Sequence, residues 1–388
     1  IDHGFFKEAM VLEYFKQGVL SMEELPEELR MKARRAEELE RFLKEPQRYF
    51  IALQRAKDDE IRRKINVALL YFLPELLERN LYGEVEGILN TLKSANLTPF
   101  AVKGPLLKEI ISAVVKKLDE VTKEEQIKML MEIVDMMGED STTALMGQLT
   151  HRNRLVRDMV CEMLVKRGTE IISLLQSAIE ERKGEWQFLR NALIVLGEVG
   201  RGKEGLEGTF KKFLDHEESR VREEALRGMV RVMGGNAERY VMNALRDKDP
   251  GVRRRAIWAL GKMNSVRPEA IEYLIDAIKG KREEEEIVIE QALSSVEAYA
   301  PDVKEVKQFE QAIVELLSKG SGILGRFTGR TILSERLKAR ACETLGLIGG
   351  QSALGILKKL AEAKEPEVRM KAIESMKRIQ KRLSEAGH

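Results

Sequence analysis

The sequence predicts an all-α fold, an α-solenoid of stacked helical hairpins, on the basis of its composition and of an internal repeat. At 388 residues the chain is longer than one compact core usually organises, which favours two domains or a repeat array. Only 5% of the residues are aromatic and 34% are charged, which is typical of helices with charged outer faces. The internal repeat is the stronger of the two observations.

The repeat is a short phrase in which apolar residues surround a central small residue. Seven copies have their centres at Val160, Ala192, Ala225, Ala256, Ala292, Ala341 and Ala372. Successive centres are 32, 33, 31, 36, 49 and 31 residues apart. The positions four before and four after the centre are apolar in every copy. This spacing places the apolar residues on one stripe of a helix, so each phrase predicts a buried helix.

A second amphipathic stretch precedes the phrase, as in residues 237–245 and 268–278, so each unit is predicted to be a helical hairpin. A hairpin of this length cannot bury both of its faces alone, and neighbouring hairpins are therefore expected to stack. The one spacing of 49 residues indicates an insertion, which we place in the glycine-rich residues 318–334.

The repeat signal weakens towards the N-terminus, and the sequence divides into three predicted regions. Residues 1–45 are predicted to form a helical cap or connector. Residues 46–150 are predicted to be helical with degenerate repeats, and Pro74 is expected at a helix boundary because proline removes a helix hydrogen bond. Residues 151–388 are predicted to be the repeat array.

The best copy of the phrase carries a family resemblance. Asp249-Pro250-Gly251-Val252-Arg253, followed by Ala256 and Leu260-Gly261, resembles the HEAT repeat, and the short period resembles the phycobilisome-lyase-type HEAT variant. The resemblance covers about residues 150–380. It implies a right-handed superhelix of HEAT-like hairpins with a concave binding face. It also implies that the Asp and Arg of the phrase bond between successive turns of the solenoid.

Candidate catalytic and metal-binding residues are sparse. The four histidines, His3, His151, His216 and His388, have no partner at ligand spacing. Cys161 and Cys342 both follow the repeat centre, where the other copies place apolar residues, so both are expected in the core. We therefore predict no catalytic residue, no metal site and no cofactor.

The clearest local charge excess lies in residues 219–262, which contain eleven Lys or Arg residues against five Asp or Glu residues. Arg222 and Arg253 stand three positions before a repeat centre, and we expect them to bond between repeats. Four other arginines of this stretch are expected to be freer to face solvent. With two arginines of the insertion they form the predicted partner-binding set: Arg227, Arg231, Arg254, Arg255, Arg326 and Arg330.

These patterns favour a non-catalytic scaffold or adaptor that binds another protein on the concave face. The alternative is binding of a nucleic-acid phosphate backbone by residues 219–262. The resemblance also allows two enzymes, a phycobilin lyase and a DNA glycosylase, but Trp186 and Trp258 occupy different repeat positions and do not form a shared groove.

The overall net charge of +2 gives no general reason to expect nucleic acid or a membrane surface. We expect a cytoplasmic protein without membrane insertion, of undefined oligomeric state. Because the chain begins with Ile1, a preceding segment is expected in the native protein.

Overall fold

The computed structural model describes residues 8–95, 104–263, 268–279, 285–299, 306–320 and 333–386. Within these ranges every regular element is a helix, so the all-α prediction is confirmed. The chain forms two compact units, Ile1–Ile171 and Ile172–His388. The predicted boundaries at 45 and 150 both fall inside the first unit.

The first unit contains nine described α-helices, several of them joined by short 3-10 turns. They are α1 (Glu8–Lys16), α2 (Glu27–Lys44), α3 (Pro46–Arg55), α4 (Asp59–Glu78), α5 (Tyr82–Ser94), α6 (Pro105–Glu120), α7 (Glu124–Met136), α8 (Thr142–Gly147) and α9 (Arg154–Lys166). An aromatic cluster joins α2, α3 and α4. In it the Phe42 ring centroid lies 5.1 Å from that of Phe72 and 5.5 Å from that of Tyr49, within the usual range for aromatic pairs.

The prediction that Pro74 marks a helix boundary is wrong, because Pro74 lies inside α4 and is buried. A proline inside a helix costs about 3 kcal/mol. The same helix buries Leu69, Leu70, Leu73 and Leu76 completely, and each such side chain contributes roughly 1.5–3 kcal/mol. Burial of this leucine-rich face therefore outweighs the lost hydrogen bond, and the helix continues through the proline.

The second unit is an α-solenoid of helical hairpins, as predicted. Its helices are α10 (Ile172–Glu181), α11 (Trp186–Val199), α12 (Glu207–Lys211), α13 (Ser219–Met233), α14 (Glu238–Ala244), α15 (Pro250–Leu260), α16 (Pro268–Ile278), α17 (Glu286–Tyr299), α18 (Val306–Gly320), α19 (Glu335–Ile348), α20 (Leu354–Leu360) and α21 (Pro366–Ala386). Each even-numbered helix packs on the odd-numbered helix that follows it, and consecutive odd-numbered helices stack on one another. We call the odd-numbered helices the second-helix layer.

Six of the seven aligned repeat centres lie in the core of this unit, and the seventh, Val160, lies in α9 of the first unit. All seven centres, from Val160 in α9 to Ala372 in α21, are completely buried. The position after the centre is less uniform. Cys342 is completely buried, as predicted, whereas Cys161 is partly exposed and Ile373 is 40% exposed. The alignment therefore located the inward stripe correctly, and the prediction of a fully buried Cys161 is wrong.

The basic residue three positions before the centre mainly closes the turn of its own hairpin. Four of the copies have an arginine at this position, and each arginine donates a hydrogen bond from Nη1 to the backbone carbonyl oxygen of the residue six positions earlier. The distances are 2.6 Å for Arg157, 2.7 Å for Arg222, 2.9 Å for Arg253 and 3.1 Å for Arg369. The acceptor is a backbone oxygen, so no side-chain signal in the sequence marks it.

Bonds to the next repeat are made by Arg222 and by Lys338, which occupies the same position of its repeat. Arg222 donates to both carboxylate oxygens of Asp247, from Nη2 at 2.7 Å and from Nε at 2.8 Å. Lys338 donates from Nζ to Glu365 Oε1 at 2.9 Å. The predicted bond between successive repeats therefore exists at Arg222, and Lys338 makes an equivalent bond, alongside the bonds within each turn.

The 49 residues between the repeat centres Ala292 and Ala341 are explained in part by a longer first helix in that hairpin. Helix α18 is 15 residues long, whereas α12, α14 and α20 have 5, 7 and 7 residues. Residues 318–320 of the predicted insertion belong to α18, which corrects the start of the insertion. Residues 321–332 lie outside the described residues.

Candidate functional site

The four predicted arginines in the described part of the chain, Arg227, Arg231, Arg254 and Arg255, lie on one side of the second-helix layer. The positions four before, at, one after and four after each repeat centre point into the core. The positions two before, one before, two after and six after the centre therefore point to the opposite side. We call that side the second-helix face. On α15 three of these positions are Arg254, Arg255 and Trp258, and the fourth, Lys262, follows the end of the helix.

Arg227 and Arg231 of α13 are engaged with carboxylates. Arg231 Nη2 contacts Glu198 Oε1 of α11, and Arg227 Nη2 lies 3.8 Å from the same oxygen. Arg227 Nη1 also donates to Glu224 Oε2 at 3.3 Å. The Arg227 side chain is 27% exposed and that of Arg231 is 14% exposed, so both are less open to solvent than the sequence predicted.

Arg254 and Arg255 have few acceptors. Arg254 is exposed and makes no hydrogen bond or ion pair with the described residues. The Arg255 side chain is only 22% exposed, yet its nearest carboxylate oxygen, Glu223 Oε2, is 3.9 Å from Nη2, too far for a hydrogen bond. Arg255 Nε is buried without a hydrogen-bond partner among the described residues. The Arg255 guanidinium carbon lies 5.5 Å from the Trp258 ring centroid.

The electrostatics of this cluster reflect partial burial. Burial is the main cause that lowers the pKa of Arg255, and the positive charges of Arg227 and Arg254 act in the same direction. Burial raises the pKa of Glu223, and the charges of Arg255 and Arg254 oppose that rise. The Arg255 guanidinium and the Glu223 carboxylate therefore face each other in a partly dehydrated environment without a direct hydrogen bond.

A groove of about 770 Å³ opens on the second-helix face from α15 to α21. Exposed Ile287 and buried Ala339 contribute apolar surface to it. The described charged side chains that line it are four cations and four carboxylates: Arg254, Arg336, Arg340, Lys371, Glu286, Glu290, Glu343 and Glu367. The described lining is thus balanced in charge.

An ion-pair network links the helices under this groove. Arg340 of α19 donates to Glu297 Oε2 of α17 at 2.7 Å, to Ser294 Oγ at 3.0 Å and to Glu343 Oε2 at 3.1 Å. Lys371 of α21 donates to Glu343 Oε1 at 3.1 Å. The network therefore connects three consecutive helices of the second-helix layer.

Sequence reasoning missed Arg336, Arg340 and Lys371 because it searched for a local excess of basic residues. In the chain these residues are interspersed with glutamates. Register was the available signal, since Arg340 and Lys371 stand one position before a repeat centre, as Arg255 does. Of the predicted set, the structure places Arg254 in the groove. Arg326 and Arg330 lie outside the described residues.

Two of the histidines serve the hairpin turns. His151 Nδ1 accepts a hydrogen bond from the Asn153 N–H at 3.0 Å, and His216 Nδ1 accepts one from the Glu218 N–H at 3.0 Å. Within the described part of the chain, no group of three or more His, Cys, Asp or Glu side chains is arranged to hold a metal ion. Among the described helices, none has the length and apolar character that a membrane span requires.

Comparison with known proteins identifies the repeat. The family model described as HEAT repeats matches residues 206–294 and 333–386. One similar solved structure is the crystal structure of an engineered protein, a Northeast Structural Genomics Consortium target. It is 19% identical over 85% of this chain and 88% of that chain, with a TM-score of 0.42. No curated protein matches the chain. The match is to HEAT repeats in general, and the phycobilisome-lyase-type variant stays a prediction. Residues 206–294 and 333–386 of this chain are therefore HEAT repeats.

Proposed function

We propose that this protein is a non-catalytic scaffold or adaptor that binds another protein on the second-helix face of its second unit. The observation that carries the proposal is the groove from α15 to α21, where side chains at equivalent repeat positions stand next to one another. A surface built from repeated helices is extended and presents many polar groups in register, which suits a segment of a partner protein.

The charge of the groove favours a protein partner over a nucleic acid. A phosphate backbone is bound by an excess of Lys and Arg residues. Here the described lining balances four cations with four carboxylates. In addition, Arg227 and Arg231 contact Glu198, which reduces the positive field of the basic stretch. We therefore rank nucleic-acid binding by residues 219–262 below protein binding.

The enzymatic alternatives have less support. Burial raises the pKa of the Cys342 thiol to about 12, so this thiol is a poor nucleophile at neutral pH. A DNA glycosylase groove would bring its tryptophans together beside its arginines. Here Trp186 stacks on Arg220, with 3.9 Å from the guanidinium carbon to the ring centroid, whereas Trp258 lies beside a different arginine, Arg255. We include a cytoplasmic location in the proposal because two cysteines, Cys161 and Cys342, are too few for a disulfide framework.

A pair of photocrosslinking variants tests the proposal. Ile287 in the groove and Leu174 on α10 are both aliphatic residues that are 43% exposed, but only Ile287 lies on the second-helix face. Each is replaced separately by the photocrosslinking amino acid benzoylphenylalanine. Each variant is then irradiated in a lysate of the source organism, and the crosslinked proteins are identified by mass spectrometry. A specific protein is expected from the Ile287 variant only.

Recombinant versions of that protein then provide the quantitative check. Isothermal titration calorimetry should give a saturable interaction with the unmodified chain. Crosslinking from Leu174 alone, or no saturable interaction with any crosslinked protein, would contradict the proposed scaffold role of this face.

A further inference from the structure

The arginines of the second-helix face differ in whether their hydrogen-bond donors have acceptors. Arg227 and Arg340 donate to glutamates, and Arg231 contacts Glu198. Arg254 makes no hydrogen bond or ion pair with the described residues, and Arg255 Nε is buried without a hydrogen-bond partner among them. Of the four predicted arginines in the described part of the chain, the two that have no hydrogen-bond acceptor there are thus adjacent residues of α15.

We propose that Arg254 and Arg255 bind the carboxylate of a single Glu or Asp side chain, flanked by apolar residues, in a segment of a partner protein. The inference rests on the proposed function and names the chemistry that the partner presents to α15. A guanidinium has five N–H donors in a planar fork that matches the two oxygens of a carboxylate. Two such groups side by side can hold one carboxylate from two directions.

The surroundings of Arg255 increase the strength of such a contact. Its side chain is only 22% exposed, and hydrogen bonds to a charged group are stronger where water is partly excluded. The Trp258 ring, 5.5 Å from the Arg255 guanidinium carbon, adds a flat apolar surface beside it. A carboxylate bound here would supply acceptors to donors that Glu223, at 3.9 Å, does not satisfy.

The same surroundings favour an isolated acidic side chain over a nucleic acid. Duplex DNA carries a negative charge about every 1.7 Å along its axis, so its backbone needs a continuous basic surface. Next to the two arginines the second-helix face presents Glu223 and Glu290. These carboxylates would repel neighbouring phosphates, whereas a single Glu or Asp flanked by apolar residues would meet Arg254 on one side and Ile287 in the groove.

Fluorescence anisotropy with defined probes tests the inference on the chain of residues 1–388. The first probe is a fluorescein-labelled dodecapeptide of glycines and serines with one central glutamate flanked by leucines, and the second has glutamine in place of that glutamate. The third is a labelled DNA duplex of about 20 base pairs. We expect the glutamate peptide to bind at least tenfold more tightly than the glutamine peptide, and more tightly than the duplex at physiological salt.

Substitutions assign that binding to the two arginines. Arg254→Gln and Arg255→Gln should each weaken binding of the glutamate peptide about tenfold, as expected for a lost charge-assisted hydrogen bond. Arg254→Lys keeps the charge, so its affinity for the glutamate peptide should lie between that of the unmodified chain and that of Arg254→Gln. Arg220→Gln is the matched control, because Arg220 also lies beside a tryptophan but donates to Glu218 at 2.7 Å.

The outcomes separate this inference from the proposed function. Equal binding of the glutamate and glutamine peptides, tighter binding of the duplex, or an Arg220→Gln effect as large as that of Arg254→Gln would overturn the inference. If a partner crosslinked through Ile287 binds Arg254→Gln and Arg255→Gln at unchanged affinity, the inference fails while the scaffold function stands. Circular dichroism of Arg255→Gln checks that the helices are retained, and the exposed Arg254 carries the test by itself if they are not.

Discussion

Among single residues, Arg222 shows how one side chain holds both its own turn and the next repeat. Its side chain is 5% exposed, and that of its partner Asp247 is 13% exposed. Arg222 also donates from Nη1 to the carbonyl oxygens of His216 at 2.7 Å and Glu217 at 2.9 Å. Burial by itself raises the pKa of Asp247, but hydrogen bonds from Arg222 and from the Asp249 N–H outweigh it, so the net pKa is lowered.

We predict that Asp247→Asn lowers the free energy of unfolding by about 2–4 kcal/mol at pH 7, because a buried guanidinium loses its counter-charge. The folded-state pKa of Asp247 lies below the unfolded value of 3.8. The contribution of this carboxylate is therefore complete above that value, and it is lost as the pH falls through the folded-state pKa. The difference between the two proteins should accordingly narrow below about pH 4.

Urea denaturation monitored by circular dichroism from pH 3 to pH 7 measures this difference. Asp158→Asn serves as the control, because Asp158 pairs with Arg154 at an exposed site where the two side chains are 60% and 85% exposed. That change should alter the free energy of unfolding by less than about 1 kcal/mol. Equal effects of the two substitutions at pH 7 would show that the Arg222–Asp247 pair has no special weight.

Among the helices, α13 shows how closely the elements of the solenoid approach one another. Gly228 of α13 faces Phe210 of α12, which is completely buried. A Cβ atom on Gly228 would lie 2.0 Å from Phe210 Cε1 and 2.5 Å from Cδ1. On the neighbouring helix α11, a Cβ atom on Gly197 would lie 3.1 Å from the Gly228 Cα. The contact of α13 with both neighbours therefore depends on the missing side chain of Gly228.

We predict that Gly228→Ala destabilises the protein by about 1–3 kcal/mol, because overpacking outweighs the gain in helix propensity of up to about 1 kcal/mol. The midpoint of thermal unfolding measures the effect. Gly208→Ala in α12 is the matched control, since a Cβ atom there would meet nothing within 4 Å. The control should be neutral or slightly stabilising. A Gly228→Ala protein as stable as the control would mean that the Phe210 ring moves aside at no cost.

On the scale of the whole molecule, the chain divides into two compact units, and each has its own core. In the second unit the helices contact chiefly the other helix of their own hairpin and the helices of adjacent hairpins. Stability in such an array is approximately the sum of the repeats and of the interfaces between neighbours. Its stability should therefore change in steps when repeats are removed from one end.

We predict that residues 172–388 expressed alone are helical by circular dichroism and unfold cooperatively on heating. A shorter fragment, residues 219–388, lacks the packing of α11 and α12 on α13 and should unfold at a lower temperature. A fragment 172–388 without helical signal, or equal unfolding temperatures for the two fragments, would contradict the nearest-neighbour description of this unit.

The sequence by itself determined the all-α fold, the repeat register and the buried stripe, because each depends on local periodicity. Apolar residues at helical spacing mark the same buried face in every copy, so Ala225 and Ala256 could be placed in the core without any structure. The tertiary structure alone decided how charge is distributed on the opposite face. Glu198 reaches Arg231, and Glu297 reaches Arg340, across gaps of 33 and 43 residues along the chain. The stacking of the helices determines which carboxylate each arginine meets, and the local sequence contains no record of it. The sequence therefore could not rank the six predicted arginines. In the described part of the chain, packing leaves Arg254 and Arg255 with few acceptors.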